Sequence, residues 1–378
     1  MPEATRIPVN PQMLRWAREE AGMTLEEAAE RAGIRAPEVS TSMQDPGDLL
    51  GKMESGEIPL DMGNFRALVR LYCRPEISFF LSRPPQKKGF VADFRKGQGK
   101  GAKRESPEFA ALKRRLSSLH GILGEIADLN GSPRLSLVGS VRPSDSVSSM
   151  VERMHALWGD PRKGRMLTAG EFFSQLRKRI QDAGVYVVLV ESLDFEHAPF
   201  AVWEFASICL ADERAALMVL NANDTVENRT FFLIHGFCHI LLGKSGVFDH
   251  AGVLETGCET DEEKLCCCAA CSYLLSEDHP NAHTEGLLRP GSSAACLVAS
   301  AQLSEQEYKT RAGTCLKSVY ERQTRDAFPE SCEALRAKFG DRLLQTLWEA
   351  ACDGQIAYTD ASSLLGISVA RLESMCTP

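Results

Sequence analysis

Apolar positions recur at helical spacing through the first eighty residues, in short bursts set off by capping residues and glycines. Asn10-Pro11 opens a helix with Leu14, Trp16 and Ala17 as its apolar face and Gly22 at its end. Thr24 stands three residues before Glu27, a capping box. The run LEEAAERAGI then puts Leu25, Ala28, Ala29 and Ala32 on one face before Gly33. Helix, glycine turn and capped helix are the opening of a helix-turn-helix. GDLLGKMESGEIPL and MGNFRALVRLYC predict two further helices, and the apolar run 77–81 reads as a plug closing this part of the chain.

Beyond residue 108 the period changes several times. A helix is predicted over 109–128, then a loop rich in Ser, Gly and Pro over 131–148. Thr168, with Glu171 three residues on, caps an amphipathic helix to Ala183, ended by Gly184. Short apolar runs at 185–190, 205–210 and 216–221 read as strands, with Asp212, Glu213 and Arg214 at a hairpin turn. Helical period returns over 224–242 and stops at Gly243. A second helix, 259–276, has an acidic start that suits the helix dipole. Residues 280–300 read as a loop. A helix over 341–352 closes at Gly354, followed by an extended Ile356-Ala357-Tyr358 and a small capped helix from Thr359. No internal repeat is visible.

At 378 residues the chain exceeds one ordinary core. No stretch approaches the roughly 18 apolar residues of a membrane helix, so no membrane association is expected. The start MPEATRIPVNPQ lacks an apolar signal region. The thirteen cysteines are odd in number, and Cys266, Cys267 and Cys268 are adjacent, which suits reduced thiols. These features lead us to expect a cytoplasmic location. The net charge of −8 disfavours a protein that coats nucleic acid. Residues 87–104 run against it, with seven basic residues and one acidic, and read as an exposed basic linker.

The strongest chemical signal is His235-Gly-Phe-Cys-His239 inside a predicted helix. A spacing of four sets two imidazoles about 40° apart on one face, where both can reach one tetrahedral zinc ion. The same spacing also fits two unrelated histidines, one packed in the core. Glu263, 24 residues after His239 on the acidic helix, stands where a gluzincin-like site takes a carboxylate ligand. Zinc proteases write the first segment H-E-x-x-H, with Glu as general base. Gly236 occupies that place here. Cys238 with Cys266–Cys271 offers a thiol reading, against which small thiols packed between helices is the plainer one. His250 is a candidate for hydrogen-bonding substrate, or an ordinary loop histidine.

These segments resemble the ImmA/IrrE-type metallopeptidases, which typically read RxFTLAHELGHLLL and ExxCNxxAAxLLMP. The matching stretches are RTFFLIHGFCHILL from Arg229 and EKLCCCAACSYLL from Glu263. The N-terminal NPQMLRWAREEAGMTLEEAAERAGI, the segment FLSRPP and the tail GDRLLQTLWEAACDGQIAYTDASSLLGI resemble the fusion of such peptidases to an XRE-type helix-turn-helix. The resemblance implies His235, His239 and Glu263 as zinc ligands and position 236 as the general base. The sequence departs from the pattern at Gly236, at Cys267 (commonly Asn) and at Ser276 (commonly Pro).

The expected fold is multidomain, mainly α with an α+β part. An XRE-like all-α helix-turn-helix covers 1–83. A basic linker and helical connector covers 84–150. A gluzincin-like zinc peptidase domain, a small sheet plus the metal-site helices, covers 151–280, and a helical C-terminal region covers 281–378. The resemblance implies a prokaryotic zinc endopeptidase that would cleave a protein in trans, such as a DNA-bound repressor, and that is inactive as written at Gly236. Such an absence arises by an inactivating substitution or in a natural pseudopeptidase. The alternative function is a non-enzymatic DNA-binding transcriptional regulator or antitoxin-like protein. DNA reading would fall to the helix from Asp45 to Met53, where Lys52 is the basic candidate. Residues 1–83 carry ten basic and thirteen acidic side chains, so docking a protein partner or a second copy fits this region equally well.

Overall fold

The computed structural model describes residues 7–34, 45–85, 92–93, 105–163, 167–193, 197–249, 260–274 and 331–376. The architecture is mostly helical, with one small mixed sheet. The chain divides into two compact units, residues 1–90 with 103–114, and residues 91–102 with 115–378. No helix among the described residues is long and apolar enough to cross a membrane.

The first unit holds α1 (Pro11–Glu20), α2 (Leu25–Ala32), α3 (Pro46–Ser55), α4 (Met62–Tyr72) and a 3₁₀ turn, Glu76–Phe80. The start of α5 (Pro107–Leu129) also belongs to it. Capping follows the sequence. The Asn10 side chain accepts from Gln12 N, and Thr24 and Glu27 form the reciprocal box. Gly33 takes the left-handed conformation that ends α2. Leu14, Ala17, Ala28, Leu49, Leu50, Phe65 and Leu68 make the core. Trp16 is half-buried, with the Arg74 guanidinium 4.4 Å from its ring.

The expected apolar plug is smaller than the sequence suggests. Phe79 alone is buried, edge-on to Phe65, while Ile77, Phe80 and Leu81 are exposed. A five-residue 3₁₀ turn presents only part of its surface inward, so one anchor is all it can seat. The Arg18 guanidinium holds Glu54 through two bonds of 2.8 and 2.9 Å and donates a third to Met23 O. Both side chains are largely buried. Glu54→Ala is therefore expected to cost about 3–5 kcal/mol by leaving Arg18 uncompensated. Glu19→Ala, which breaks the exposed Arg15–Glu19 pair, should cost under about 1 kcal/mol. Denaturant unfolding of the two variants checks the contrast, and equal losses would refute it.

In the second unit, α6 (Val147–Trp158), α7 (Ala169–Asp182), α8 (Val226–Leu241) and α9 (Asp261–Leu274) accompany five strands. These are β1 (Ala92–Asp93), β2 (Tyr186–Val190), β3 (Ser207–Leu210), β4 (Leu217–Asn221) and β5 (Gly246–Phe248). The sheet order is β1-β5-β3-β4-β2. β2 runs parallel to β4 and β1 to β5, while β3 is antiparallel to both of its neighbours. Every residue of β2 to β5 is buried, as in a sheet covered on both faces. The face carrying Cys209, Met218, Leu220 and Phe248 shares one core with α7, α8 and α9.

Several elements depart from the sequence reading, among them β1, which pairs with β5 inside the stretch read as an exposed linker. The Ser-rich stretch expected as a loop gives way at Val147 to α6, capped by Ser146 and buried through Met150, Met154 and Trp158. β5, three residues long, is too short to announce itself. The C-terminal region forms α10 (Cys332–Phe339), α11 (Asp341–Cys352), α12 (Tyr358–Leu365) and α13 (Val369–Cys376). Ile356-Ala357-Tyr358 is not a strand, since Tyr358 already begins α12. α10 lies beside the edge strand β2. Arg177 from α7 ties the two, donating to Val187 O at 2.6 Å, to Lys338 O at 3.0 Å and to Ala337 O. Covering an edge in this way removes its free pairing groups from other chains.

Candidate metal centre

α8 carries the two histidines on its interior stretch, beyond a partly exposed first turn. The Thr225 side chain accepts from Asn228 N, and Asn228 donates to Asp224 Oδ1 at 2.8 Å, which fixes the first turn. From Thr230 to Leu241 every residue is buried, so this stretch is enclosed on all sides and its two imidazoles sit in an otherwise largely apolar surround. Within it, the spacing of four brings the imidazoles together, with ring centroids 4.8 Å apart.

Glu263 comes from the first turn of α9, where its backbone N–H bonds the Thr260 side chain at 3.1 Å. The other end of α9 is anchored by α6 and the loop after it. Trp158 Nε1 donates to the Tyr273 hydroxyl, which donates on to Gly159 O, each at 3.0 Å. Arg162 holds Leu274 O at 2.7 Å and Tyr273 O at 2.8 Å while paired with Asp160. α9 therefore presents Glu263 from a helix fixed at both ends.

One carboxylate oxygen of Glu263 lies 3.3 Å from His235 Nε2 and the other 3.1 Å from His239 Nε2. A donor atom from each residue lies within 4.8 Å of the other two, and all three residues are buried. Phe248 walls the site, its ring centroid 5.1 Å from that of His235 and 4.4 Å from that of His239. Phe231 stacks on His235 at 5.8 Å. Burial pushes the Glu263 carboxyl up, but the two imidazoles together outweigh it and hold the group well below the usual carboxylate range. Burial lowers His239, against the opposing pull of Glu263.

The donor set fits a metal on two counts. Donors about 2.1 Å from a tetrahedral zinc stand roughly 3.4 Å from one another, and each imidazole nitrogen lies near that distance from one oxygen of Glu263. The contacts also lack hydrogen-bond geometry: neither nitrogen of His235, nor Glu263 Oε1, makes a hydrogen bond, although all are buried. Buried polar atoms left in this state cost free energy unless something else satisfies them. A cation between them would do so.

Gly236 faces the sheet. A β-carbon there would lie 2.9 Å from Met218 Cε, with Ser207 Oγ at 3.9 Å and Cys209 Cβ at 4.0 Å. The helix tolerates glycine poorly on propensity alone, and the sequence offered no reason for it. The reason is tertiary: the methionine methyl from β4 fills the space a side chain would enter. Met218 and Phe248 are the site residues that sequence reasoning missed.

The other candidates separate. Cys238 and Cys209 are fully buried, and burial pushes both thiols up, away from reactive thiolate. Cys266, Cys267 and Cys271 are buried on α9, against the same core as α8. Lys52 is half-buried on α3, whose exposed residues are Pro46, Asp48 and Ser55. His250 lies outside the described residues. No protein-family model, curated protein or solved structure matches the chain.

Proposed function

We propose that the chain is a zinc-binding regulator on an ImmA/IrrE-type peptidase scaffold, with the hydrolytic step disabled at position 236. The observation that carries this reading is the buried convergence of His235, His239 and Glu263 on one point. Two imidazoles and one carboxylate are a donor set suited to zinc. Zinc held there would supply Lewis acidity towards a carbonyl oxygen or a water. The protein's own part is to keep Glu263 ionised, to orient the two rings from one rigid helix and to exclude bulk water with Phe231 and Phe248. What it lacks is a side chain at 236 to carry a proton to a leaving amine, a loss of roughly 10²–10⁴ in rate.

On this reading the second unit responds to metal. The first unit, with a gluzincin-type partner fused after a helix-turn-helix, docks a protein such as a repressor. The exposed positions of α3, Pro46, Asp48 and Ser55, include no basic side chain, which speaks for protein docking over phosphate contact.

Incubation with candidate repressor proteins tests the proposal. Zinc-loaded wild-type protein should leave them intact. The double variant Gly236→Glu with Met218→Ala should give chelator-sensitive cleavage. Cleavage by the wild-type chain would overturn the non-hydrolytic reading.

A further inference from the structure

The sheet face that packs on α8 carries one polar group unlike its neighbours. Ser207 on β3 is fully buried, and its hydroxyl has no hydrogen-bond partner. A buried hydroxyl in that state costs free energy, and alanine would serve a core better. Its surroundings point in one direction. Ser207 pairs across the sheet with Phe248, and directly opposed residues share a face. Phe248 is the residue whose ring lies against both metal-site histidines. Ser207 Oγ also lies 3.9 Å from where a β-carbon of residue 236 would stand. Positions 232, 235, 236 and 239 form one stripe of α8. The orphaned hydroxyl therefore faces the stripe that carries the two imidazoles, beside the place where a general base is missing.

We infer that Ser207 is a positioning residue of the metal centre. Its hydroxyl hydrogen-bonds the exogenous oxygen donor, a water or a small anion, that completes coordination beyond His235, His239 and Glu263. This rests on the metal-site reading above and adds to it. A neutral hydroxyl can orient such a donor by giving or accepting a hydrogen bond. At neutral pH it cannot take up a proton as a carboxylate would, so it positions the donor without serving as its base.

Cobalt(II) titration of the full chain tests the assignment, read by visible absorption and by competition for affinity. Ser207→Ala should lower cobalt affinity about 10–100-fold, the usual effect of losing a partner behind the ligands, and should shift the ligand-field bands. Ser207→Thr, which keeps the hydroxyl, should restore both. Thermal unfolding of the metal-free proteins supplies the second readout, in which Ser207→Ala should match or exceed wild type. Metal-free destabilisation of that variant would mean that the hydroxyl has an internal partner, and would overturn the inference. If wild type binds cobalt and Ser207→Ala matches it in affinity and spectrum, this inference alone fails. If wild type binds no cobalt, the metal-site reading fails with it.

Discussion

Glu263→Gln is expected to lower zinc affinity by well over ~100-fold while leaving the metal-free protein folded. Losing a group that merely supports a ligand costs about 10–100-fold. Here a donor atom and the one negative charge of the set go together. The amide has nearly the same shape, so packing around α9 survives. The Trp158–Tyr273–Gly159 chain and the Arg162 bonds that hold the far end of the helix are untouched. Metal-free stability should fall at neutral pH without unfolding the protein, because the two imidazoles favour the ionised carboxylate that the amide replaces. Equilibrium competition with a zinc indicator reads the affinity, and denaturant unfolding in chelator reads the fold. An affinity within tenfold of wild type would mean that Glu263 is not a ligand.

Gly236→Glu alone is expected to destabilise the protein by about 1–3 kcal/mol, the usual penalty of overpacking a core. Propensity argues the other way, since leaving glycine in a helix interior gains about 1 kcal/mol. The rest of the side chain decides the sign: the Met218 methyl, 2.9 Å from a new β-carbon, can swing aside, but the remaining glutamate atoms must enter a face where Met218 is already fully buried. The same substitution in a Met218→Ala background should cost less by at least about 1 kcal/mol, a coupling typical of residues in contact. Denaturant midpoints of wild type, both single variants and the double variant give that coupling. Additive effects would show that Met218 does not fill the place of the missing side chain. This result bears on chemistry as well, because a glutamate that cannot seat its side chain cannot act as a base.

The elements that sequence made legible are those with local causes. The capping boxes at Thr24–Glu27 and Thr168–Glu171 are both formed. The spacing of His235 and His239 needs only helical geometry, while Glu263 is singled out from its acidic neighbours Asp261 and Glu262 by its distance from His239 and by the family resemblance. What escaped depended on distant partners. β5 exists because Val247 and Phe248 pair with β3, not because three residues prefer a strand. α6 was obscured by the Ser-rich run before it, although Met150, Met154 and Trp158 repeat at a spacing of four. Gly236 was legible as a departure from the peptidase pattern, but its reason sits on β4, 18 residues earlier. No local rule links those two positions.

Zinc titration of the full chain, freed of metal by chelator and followed by calorimetry, tests the central claim most directly. The account requires one zinc ion per chain, bound tightly and lost in His235→Ala, His239→Ala and Glu263→Gln alike. A wild-type chain that takes up no zinc, or one that binds it equally well without these three side chains, would contradict it.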